Sequence, residues 1–168
     1  MGKRSKTNQV LGNKMVSFFE IACAEAERGM LNGDGGPFGS IVVRDGKVIG
    51  RGHNQVLSSH DSTAHAEIIA IRQAEQALRT HDLTGCEIYT TCYPCPMCLG
   101  AIMWARISKV HYGCTTDEAA AVGFDDHIFY DAFSTPGTNH FLTMEHHDNP
   151  SCRSLFEKWL KMDSRKIY

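Results

Sequence analysis

Two short stretches of this sequence determine the rest of its interpretation: residues 63–67 (TAHAE) and residues 94–98 (PCPMC). Each precedes a run of residues that favours a helix. Cys95 and Cys98 are three residues apart, so at the start of a helix they lie on the same side. His65 and Glu67 are two apart and diverge by about 200° around a helix. One of them can therefore bind a metal ion while the other reaches towards a substrate.

A histidine, two cysteines and a separate carboxylate are what a catalytic zinc site requires. Zn²⁺ prefers four nitrogen and sulfur ligands, and a catalytic site keeps one position for water. We therefore predict that His65, Cys95 and Cys98 bind one Zn²⁺ per subunit, with water or hydroxide as the fourth ligand. A C-x-x-C pair also occurs in thioredoxin-like redox sites and in structural zinc sites. Neither of these requires the preceding His65-x-Glu67, which favours the catalytic interpretation.

The pattern H-x-E followed by P-C-x-x-C is typical of zinc-dependent deaminases. Zinc lowers the pKa of bound water from about 16 to about 7 and so provides hydroxide at neutral pH. Hydroxide can attack a ring carbon that bears an amine, and the amine must be protonated before it leaves as ammonia. A carboxylate that is not a metal ligand can transfer these protons. We predict Glu67 as that catalytic group, with Asn54, Phe38 and Trp104 as candidates for binding a planar ring.

The composition is that of one globular domain. The chain has 168 residues, of which 42% are hydrophobic and 21% charged, with a formal net charge of −2. This charge does not favour nucleic-acid binding, and no apolar run approaches the length of a membrane span. We expect residues 1–14 to be a disordered tail. Seven cysteines without a signal sequence indicate free thiols in a reducing compartment, so we expect a cytoplasmic protein.

The spacing of apolar residues predicts an α/β fold. Residues 15–30 and 64–78 have helical periodicity, with Thr63 as the predicted N-cap of the second helix, and a short helix follows Pro94. Strands are predicted at residues 38–43, 48–53, 87–91 and 109–113, with a weaker fifth strand at residues 141–145. A helix is predicted from Ser151 to about residue 162. This order indicates a three-layer α/β/α sandwich with a mixed sheet of roughly five strands. We place the deaminase domain at residues 15–150 and a C-terminal helix and lid segment at residues 151–168.

The sequence resembles the bacterial guanine deaminases, a family within the cytidine deaminase-like superfamily. The resemblance covers most of the chain from about residue 16 and is carried by residues 35–39 (GGPFG), 53–54 (HN), 63–67 (TAHAE), Cys92, 94–98 (PCPMC), 100–102 (GAI), 104–106 (WAR), 123–126 (GFDD) and Tyr168. It implies conversion of guanine to xanthine and ammonia, in purine catabolism. It also implies a homodimer in which the C-terminal segments are exchanged and close the partner's active site.

The same resemblance assigns roles to individual residues. It implies that Asn54 binds the purine O6 and that Asp126 assists proton transfer at the leaving amine. The substrate-binding set that it implies is Asn54, Phe38, Ala64, Trp104 and Tyr168. His65 would also line the ring, and Tyr168 would belong to the lid.

Two positions differ from the superfamily pattern: Tyr93 stands where many members have glutamate, and Ser62 where proline is common. Because Tyr93 is expected at the rim of the pocket, this difference leaves more than one substrate compatible with the sequence. The alternatives are a guanosine deaminase, a tRNA adenosine deaminase, and a deaminase of other aminopurines or triazines. A zinc-binding interaction module without activity is a further alternative, although a structural site does not require Glu67.

Overall fold

The computed structural model describes residues 8–11, 14–134 and 143–167. The strands are β1 (Asn8–Leu11), β2 (Lys14–Ser17), β3 (Gly39–Arg44), β4 (Lys47–His53), β5 (Glu87–Cys92) and β6 (Lys109–Cys114). The helices are α1 (Phe18–Leu31), α2 (Val56–Ser59), α3 (Ala66–Leu78), α4 (Pro96–Trp104), α5 (Thr116–Ala120), α6 (His127–Ser134) and α7 (Pro150–Leu160). No helix in these ranges is long and apolar enough to cross a membrane.

The chain divides into two compact units, Met1–Tyr130 and Asp131–Tyr168. The division of the chain into a deaminase domain and a lid segment after residue 150 stays a prediction. In the second unit, α7 begins at Pro150, and the side chain of its N-cap, Asn149, accepts hydrogen bonds from the backbone N–H groups of Ser151 and Cys152. The C-terminal helix is therefore present, one residue earlier at its start than predicted.

The main sheet has four strands in the order β4-β3-β5-β6. β3 is antiparallel to both β4 and β5, and β5 is parallel to β6. The sheet is mixed, as predicted, but it has four strands instead of five. The predicted fifth strand starts at residues 141 and 142, which lie outside the described residues, and residues 143–145 are not in a strand.

Three strands of the main sheet are parallel to one another: β4, β5 and β6. Because β4, β5 and β6 all run the same way, their carboxyl ends lie at one edge of the sheet, as does the start of β3. Crevices outside the carboxyl ends of strands are the usual ligand sites of α/β sheets. The segments that follow β4, β5 and β6 are therefore brought together.

Helices cover both faces of the sheet, which confirms the three-layer arrangement. On one face, α1 packs against the sheet in a core cluster of Phe18, Ile21, Ala22, Ile41, Val43 and Tyr89. On the other face, α3 and α4 contribute to a cluster of Val42, Ala70, Ile71, Ala74, Leu83, Cys86, Ile88, Ile102, Ala105 and Ile107. Residues 41, 42 and 43 alternate between the two clusters, as the period of a strand requires.

Three glycines allow the helix backbones to approach the sheet closely. A Cβ atom on Gly39 would lie 2.1 Å from the Ala22 carbonyl oxygen of α1. On the opposite face, a Cβ on Gly50 would lie 2.2 Å from the Ala70 oxygen of α3, and one on Gly52 would lie 2.3 Å from the Ala66 oxygen. Because no side chain fits at these positions, the glycines set the distance between β4 and α3.

The beginning of the chain differs from the prediction in two ways. Residues 8–11, within the predicted disordered tail, form β1, which pairs with β2 in a separate two-stranded sheet. α1 begins after Ser17 and not at residue 15, because Ser17 and Glu20 form a capping box in which each side chain bonds the other's backbone N–H.

We predict that Gly52→Ala lowers the free energy of unfolding by about 1–3 kcal/mol, the usual range for overpacking. The added methyl group meets the backbone of α3, which cannot move without displacing its neighbours. Urea denaturation measures the change. Gly100→Ala is the matched control: an added Cβ has no atom within 4 Å, and alanine favours a helix interior by about 0.5–1 kcal/mol. Equal stability of Gly52→Ala and wild type would contradict this account of the contact.

Candidate metal and catalytic site

Both stretches that led the sequence analysis begin helices at the same edge of the sheet. α3 follows β4 through the segment 54–65, and α4 follows β5 after a turn at residues 93–95. His65 is the N-cap of α3 and Cys95 is the N-cap of α4. Both have extended backbone angles, and neither side chain forms a capping hydrogen bond. Their side chains are therefore available to bind a metal ion.

The prediction that Thr63 is the N-cap of α3 is wrong. Thr63 donates from both its backbone N–H and its hydroxyl to the Asp61 carboxylate, at 2.8 and 2.6 Å. This local turn takes up the side chain that a cap would need. α3 starts at Ala66, two residues later than predicted, so that His65, and not Thr63, is the N-cap.

The predicted ligands form a compact cluster: His65, Cys95 and Cys98 each place a ligand atom within 4.8 Å of the others. Nδ1 of His65 lies 3.6 Å from the Cys95 sulfur and 3.6 Å from the Cys98 sulfur. A tetrahedral ion with zinc–sulfur bonds of about 2.3 Å and zinc–nitrogen bonds of about 2.0 Å would separate nitrogen from sulfur by about 3.6 Å. The donor set and its spacing both fit zinc, with Nδ1 as the nitrogen ligand.

The pKa values of the two cysteine thiols are shifted in opposite directions. A hydrogen bond from the Cys98 thiol, assisted by His65, lowers the pKa of Cys95 well below its usual range. The same bond and burial raise the pKa of Cys98, which holds the proton. Both sulfurs lie in the first turn of α4, where the helix dipole also favours negative charge. The lowered pKa of Cys95 favours its thiolate, the form that binds zinc.

Glu67 lies beside the ligand cluster but is not part of it. Its side chain is buried, its Oε1 accepts a hydrogen bond from the Thr90 hydroxyl at 2.9 Å, and its Oε2 lies 3.4 Å from the Cys98 sulfur. Burial raises the pKa of Glu67, in spite of the hydrogen bonds that it accepts. A carboxyl group with a raised pKa can both accept and return a proton near neutral pH.

Asp126 follows β6 and α5 and reaches the same edge. Its Oδ1 is buried without a hydrogen-bond partner among the described residues. Burial raises the pKa of Asp126, and the negative charge of Cys95 adds to this effect. A buried carboxylate oxygen without a partner is costly for the protein alone. It is thus suited to accept a hydrogen bond from a group that the protein itself does not contain.

The residues predicted to contact the ring lie around this edge. Asn54 is buried at the end of β4, and its Oδ1 accepts a hydrogen bond from the Val56 N–H at 3.1 Å. Phe38, just before β3, packs edge-on against Phe124 with ring centroids 4.9 Å apart. The backbone N–H of Ala64 donates to the Asp61 carbonyl, so this buried residue can offer its methyl group.

The roles of two further residues stay predictions. Trp104 ends α4, about 13 Å along the helix from Cys95 at its start, and it is 66% exposed. Tyr168 lies outside the described residues.

The sequence reasoning missed two residues of the site. Thr90 bonds Glu67, and strand alternation places it on the face of β5 that α3 covers, together with Ile88. This alternation could have identified it. Tyr130 donates a hydrogen bond to the carbonyl of Pro94 at 2.5 Å, next to Cys95. No motif in the sequence signals this contact between α6 and the turn before α4.

We predict that Cys95→Ala loses zinc because it removes the more acidic thiol of the ligand set. After dialysis, elemental analysis should find about one zinc per wild-type chain, as expected for one three-ligand site, and close to none in the variant. Cys92→Ala is the matched control and should retain zinc. Burial raises the pKa of Cys92 to about 11, and its thiol donates to the Thr115 carbonyl at 3.5 Å. Equal zinc contents in Cys95→Ala and wild type would exclude this ligand set.

Comparison with known proteins agrees with this geometry. Residues 13–114 match the family described as the cytidine and deoxycytidylate deaminase zinc-binding region. The chain is 40% identical to guanine deaminase of Bacillus subtilis over 90% of this chain and 97% of that protein. It is 33% identical to a tRNA-specific adenosine deaminase of Aquifex aeolicus over 86% of this chain and 92% of the relative.

Solved structures give the same result. The crystal structure of the Bacillus subtilis guanine deaminase has a TM-score of 0.86 and covers 90% of this chain and 96% of its own. A guanine deaminase from Nitrosomonas europaea, 34% identical, has a TM-score of 0.57 and covers 65% of this chain and 61% of its own. Taken with the His65–Cys95–Cys98 cluster and the buried Glu67, these matches show that the chain belongs to the zinc-dependent deaminases of the cytidine and deoxycytidylate deaminase family.

Proposed function

We propose that this protein deaminates guanine hydrolytically, giving xanthine and ammonia. The observation that carries the proposal is the buried carboxyl group of Glu67, which lies against a zinc-ligand cluster without belonging to it. A structural metal site has no use for such a group, because a buried carboxylate costs stability. The choice of guanine is supported by similarity to guanine deaminases, one of them over nearly its whole length.

In this proposal one zinc per subunit is held by His65, Cys95 and Cys98, with a fourth position for water. Bound zinc supplies a water molecule of lowered pKa, close to 7. Glu67 would accept one proton from this water and deliver it to a ring nitrogen as the water oxygen bonds the ring carbon that bears the amine. It would then take the second proton from the same oxygen and pass it to the amine, so that the carbon–nitrogen bond breaks and ammonia leaves. The Thr90 hydroxyl holds Oε1 of Glu67 at 2.9 Å, and Oε2 lies 3.4 Å from the Cys98 sulfur, on the side of the ligand cluster where this transfer would occur. Water and guanine are consumed, and xanthine and ammonia are formed.

Asn54 and Phe38 would fix the base. Because Oδ1 of Asn54 is occupied by the Val56 N–H, its amide presents NH₂ to a ligand. An NH₂ group complements the O6 carbonyl of guanine, which is an acceptor. Phe38, supported edge-on by Phe124, offers an apolar wall to the flat ring. Asp126, with its unpartnered buried oxygen, would accept a hydrogen bond from the amine that leaves.

A tRNA adenosine deaminase is the second candidate, since one relative of that activity aligns over most of the chain. Binding a tRNA stem requires a basic surface. The net charge of −2 and the exposed Asp125 beside the site oppose it. A guanosine deaminase would need space for ribose at the pocket rim, where Tyr93 replaces the usual glutamate. Other aminopurines and triazines would fit the same chemistry.

We also propose that the active enzyme is a homodimer that exchanges its C-terminal segments, as the resemblance implies, with Tyr168 closing the partner's site. Support comes from α7, where Leu155, Phe156 and Leu160 are each more than 60% exposed in the single chain. An apolar surface of this kind is typical of an interaction site. A cytoplasmic location and a role in purine catabolism complete the proposal; all seven cysteines are free thiols, which fits a reducing compartment.

We predict that the zinc-loaded protein releases ammonia from guanine and does not require a ribose or a polynucleotide. The experiment compares guanine, guanosine, adenosine, melamine and an unmodified tRNA, with ammonia as the readout. Exclusive turnover of guanosine, or tight and salt-sensitive binding of tRNA, would overturn the choice of guanine.

The same assay tests the role of Glu67. Glu67→Gln keeps the shape of the side chain but cannot transfer protons, so kcat should fall about 100-fold or more, while zinc content is unchanged. Glu75→Gln, a partly buried carboxylate on the same helix, is the control and should retain activity. Unchanged turnover in Glu67→Gln would refute the proton transfer.

The dimer is tested by light scattering. We predict the mass of a dimer for the full chain. Deletion of residues 151–168 should give a monomer with greatly reduced turnover, because the lid is lost. A monomeric, fully active wild-type protein would contradict the exchange of segments.

A further inference from the structure

The side chain of His53 is buried, although it belongs to neither the metal cluster nor the predicted ring-binding set. It is the last residue of β4 and directly precedes Asn54. Its Nε2 lies 2.9 Å from Oδ2 of Asp34, and its Nδ1 lies 3.3 Å from Nη2 of Arg28. α1 accommodates the ring only because of Gly29, where a Cβ would lie 2.3 Å from Cδ2 of the imidazole. The fold thus makes room for this histidine.

The partners of His53 determine which of its nitrogens carries the proton. A guanidinium group can only donate hydrogen bonds, so Nδ1 accepts from Arg28. Nε2 therefore carries the hydrogen and donates it to Asp34. The Glu25 carboxylate also lies near this ring, with Oε2 at 4.0 Å from Nδ1, and it pairs with Arg28 and Arg51. The bond from His53 lowers the pKa of Asp34, as expected for a carboxylate that accepts it.

Asp34 in turn fixes the loop beside Asn54. Its backbone N–H donates to the Gly29 carbonyl at 2.9 Å, and its own carbonyl accepts from Leu57 and Ser58 at the start of α2, at 3.0 and 3.1 Å. With the bond from His53, Asp34 joins α1, β4 and α2. The next residue is Gly35, where a Cβ would lie 2.0 Å from Oδ1 of Asn54. The backbone that Asp34 holds is therefore in direct contact with the Asn54 amide.

We propose that His53 and Asp34 form a positioning pair that fixes the Asn54 amide so that its NH₂ faces the purine carbonyl. This inference rests on the proposed function for the identity of the ligand. The Asn54 amide is held on one side by Val56 N–H and on the other by the Gly35 backbone. Without the bond between His53 and Asp34, the link from this loop to β4 is lost, and only the backbone hydrogen bonds of Asp34 to α1 and α2 hold the Gly35 segment against the Asn54 amide. His53 and Asp34 do not touch the substrate themselves.

The test is a double-mutant cycle with guanine as substrate. Asp34→Ala and His53→Ala should each raise KM about tenfold, with kcat within about twofold, because an interaction made equally in ground and transition states is weakened. His53→Gln keeps a donor for Asp34 and should restore most of the affinity. In an Asn54→Ala background, Asp34→Ala should change KM by less than about twofold, because the residue through which the pair acts is gone.

The matched control is His111→Gln. His111 forms the same kind of bond, from Nε2 to Oε2 of Glu87 at 3.0 Å, but at the beginning of β5 and β6, the opposite end of the sheet from the site. The His111→Gln variant should therefore have the same KM for guanine as the wild type. An equal rise in KM for Asp34→Ala with and without Asn54, or no rise at all, overturns the positioning pair. If His53→Ala does not fold, the Asp34→Ala cycle decides alone, since Asp34 is in a loop.

A second readout does not depend on activity. In nitrogen-15 spectra of the zinc-loaded wild type, the Asn54 side-chain NH₂, assigned with Asn54→Ala, should give two sharp and separate proton signals. Asp34→Ala should broaden or merge them, whereas His111→Gln should not. Unaltered signals in Asp34→Ala overturn the inference. Absence of xanthine from the wild type would instead refute the proposed function, and the spectra would still test the pair.

Discussion

The contact between the backbone of α3 and the glycines of β4 is the constraint on which the site depends. A residue with any side chain at Gly52 would push away the Ala66 carbonyl, and Ala66 stands between His65 and Glu67. The close approach lets the first turn of α3 lie low over the sheet. There the Glu67 carboxyl group meets Thr90 of β5 at 2.9 Å. The contact between Gly52 and Ala66 therefore determines how far His65 and Glu67 lie from the sheet.

The electrostatics of the site follow from burial as much as from sequence. Desolvation favours the neutral form of Glu67, while the hydrogen bonds that it accepts and the nearby helix start favour the charged form. The balance raises its pKa. Asp126 shows the same direction for the same main reason. Two carboxyl groups that would be plain anions on a surface are thereby able to hold protons beside a cluster of thiols.

Much of this arrangement could be predicted from the sequence, because its signals are local. The ligand set depends on short spacings within 63–67 and 94–98, and the strand pattern predicts the layers. The first residues of helices were predicted less accurately. Thr63 is a residue type that favours an N-cap, but its hydroxyl bonds the Asp61 carboxylate instead. The contact of Tyr130 with Pro94 spans 36 positions of the chain and depends on tertiary packing. Such packing leaves no local signature.

The hydrogen bond between Tyr130 and Pro94 links two parts of the site that the sequence keeps far apart. Tyr130 lies one helical turn after Asp126, and Pro94 precedes Cys95. Any outward swing of Asp126 that carries α6 with it must break this 2.5 Å bond. The Tyr130 hydroxyl therefore couples the position of Asp126 to the geometry of the turn that carries Cys95.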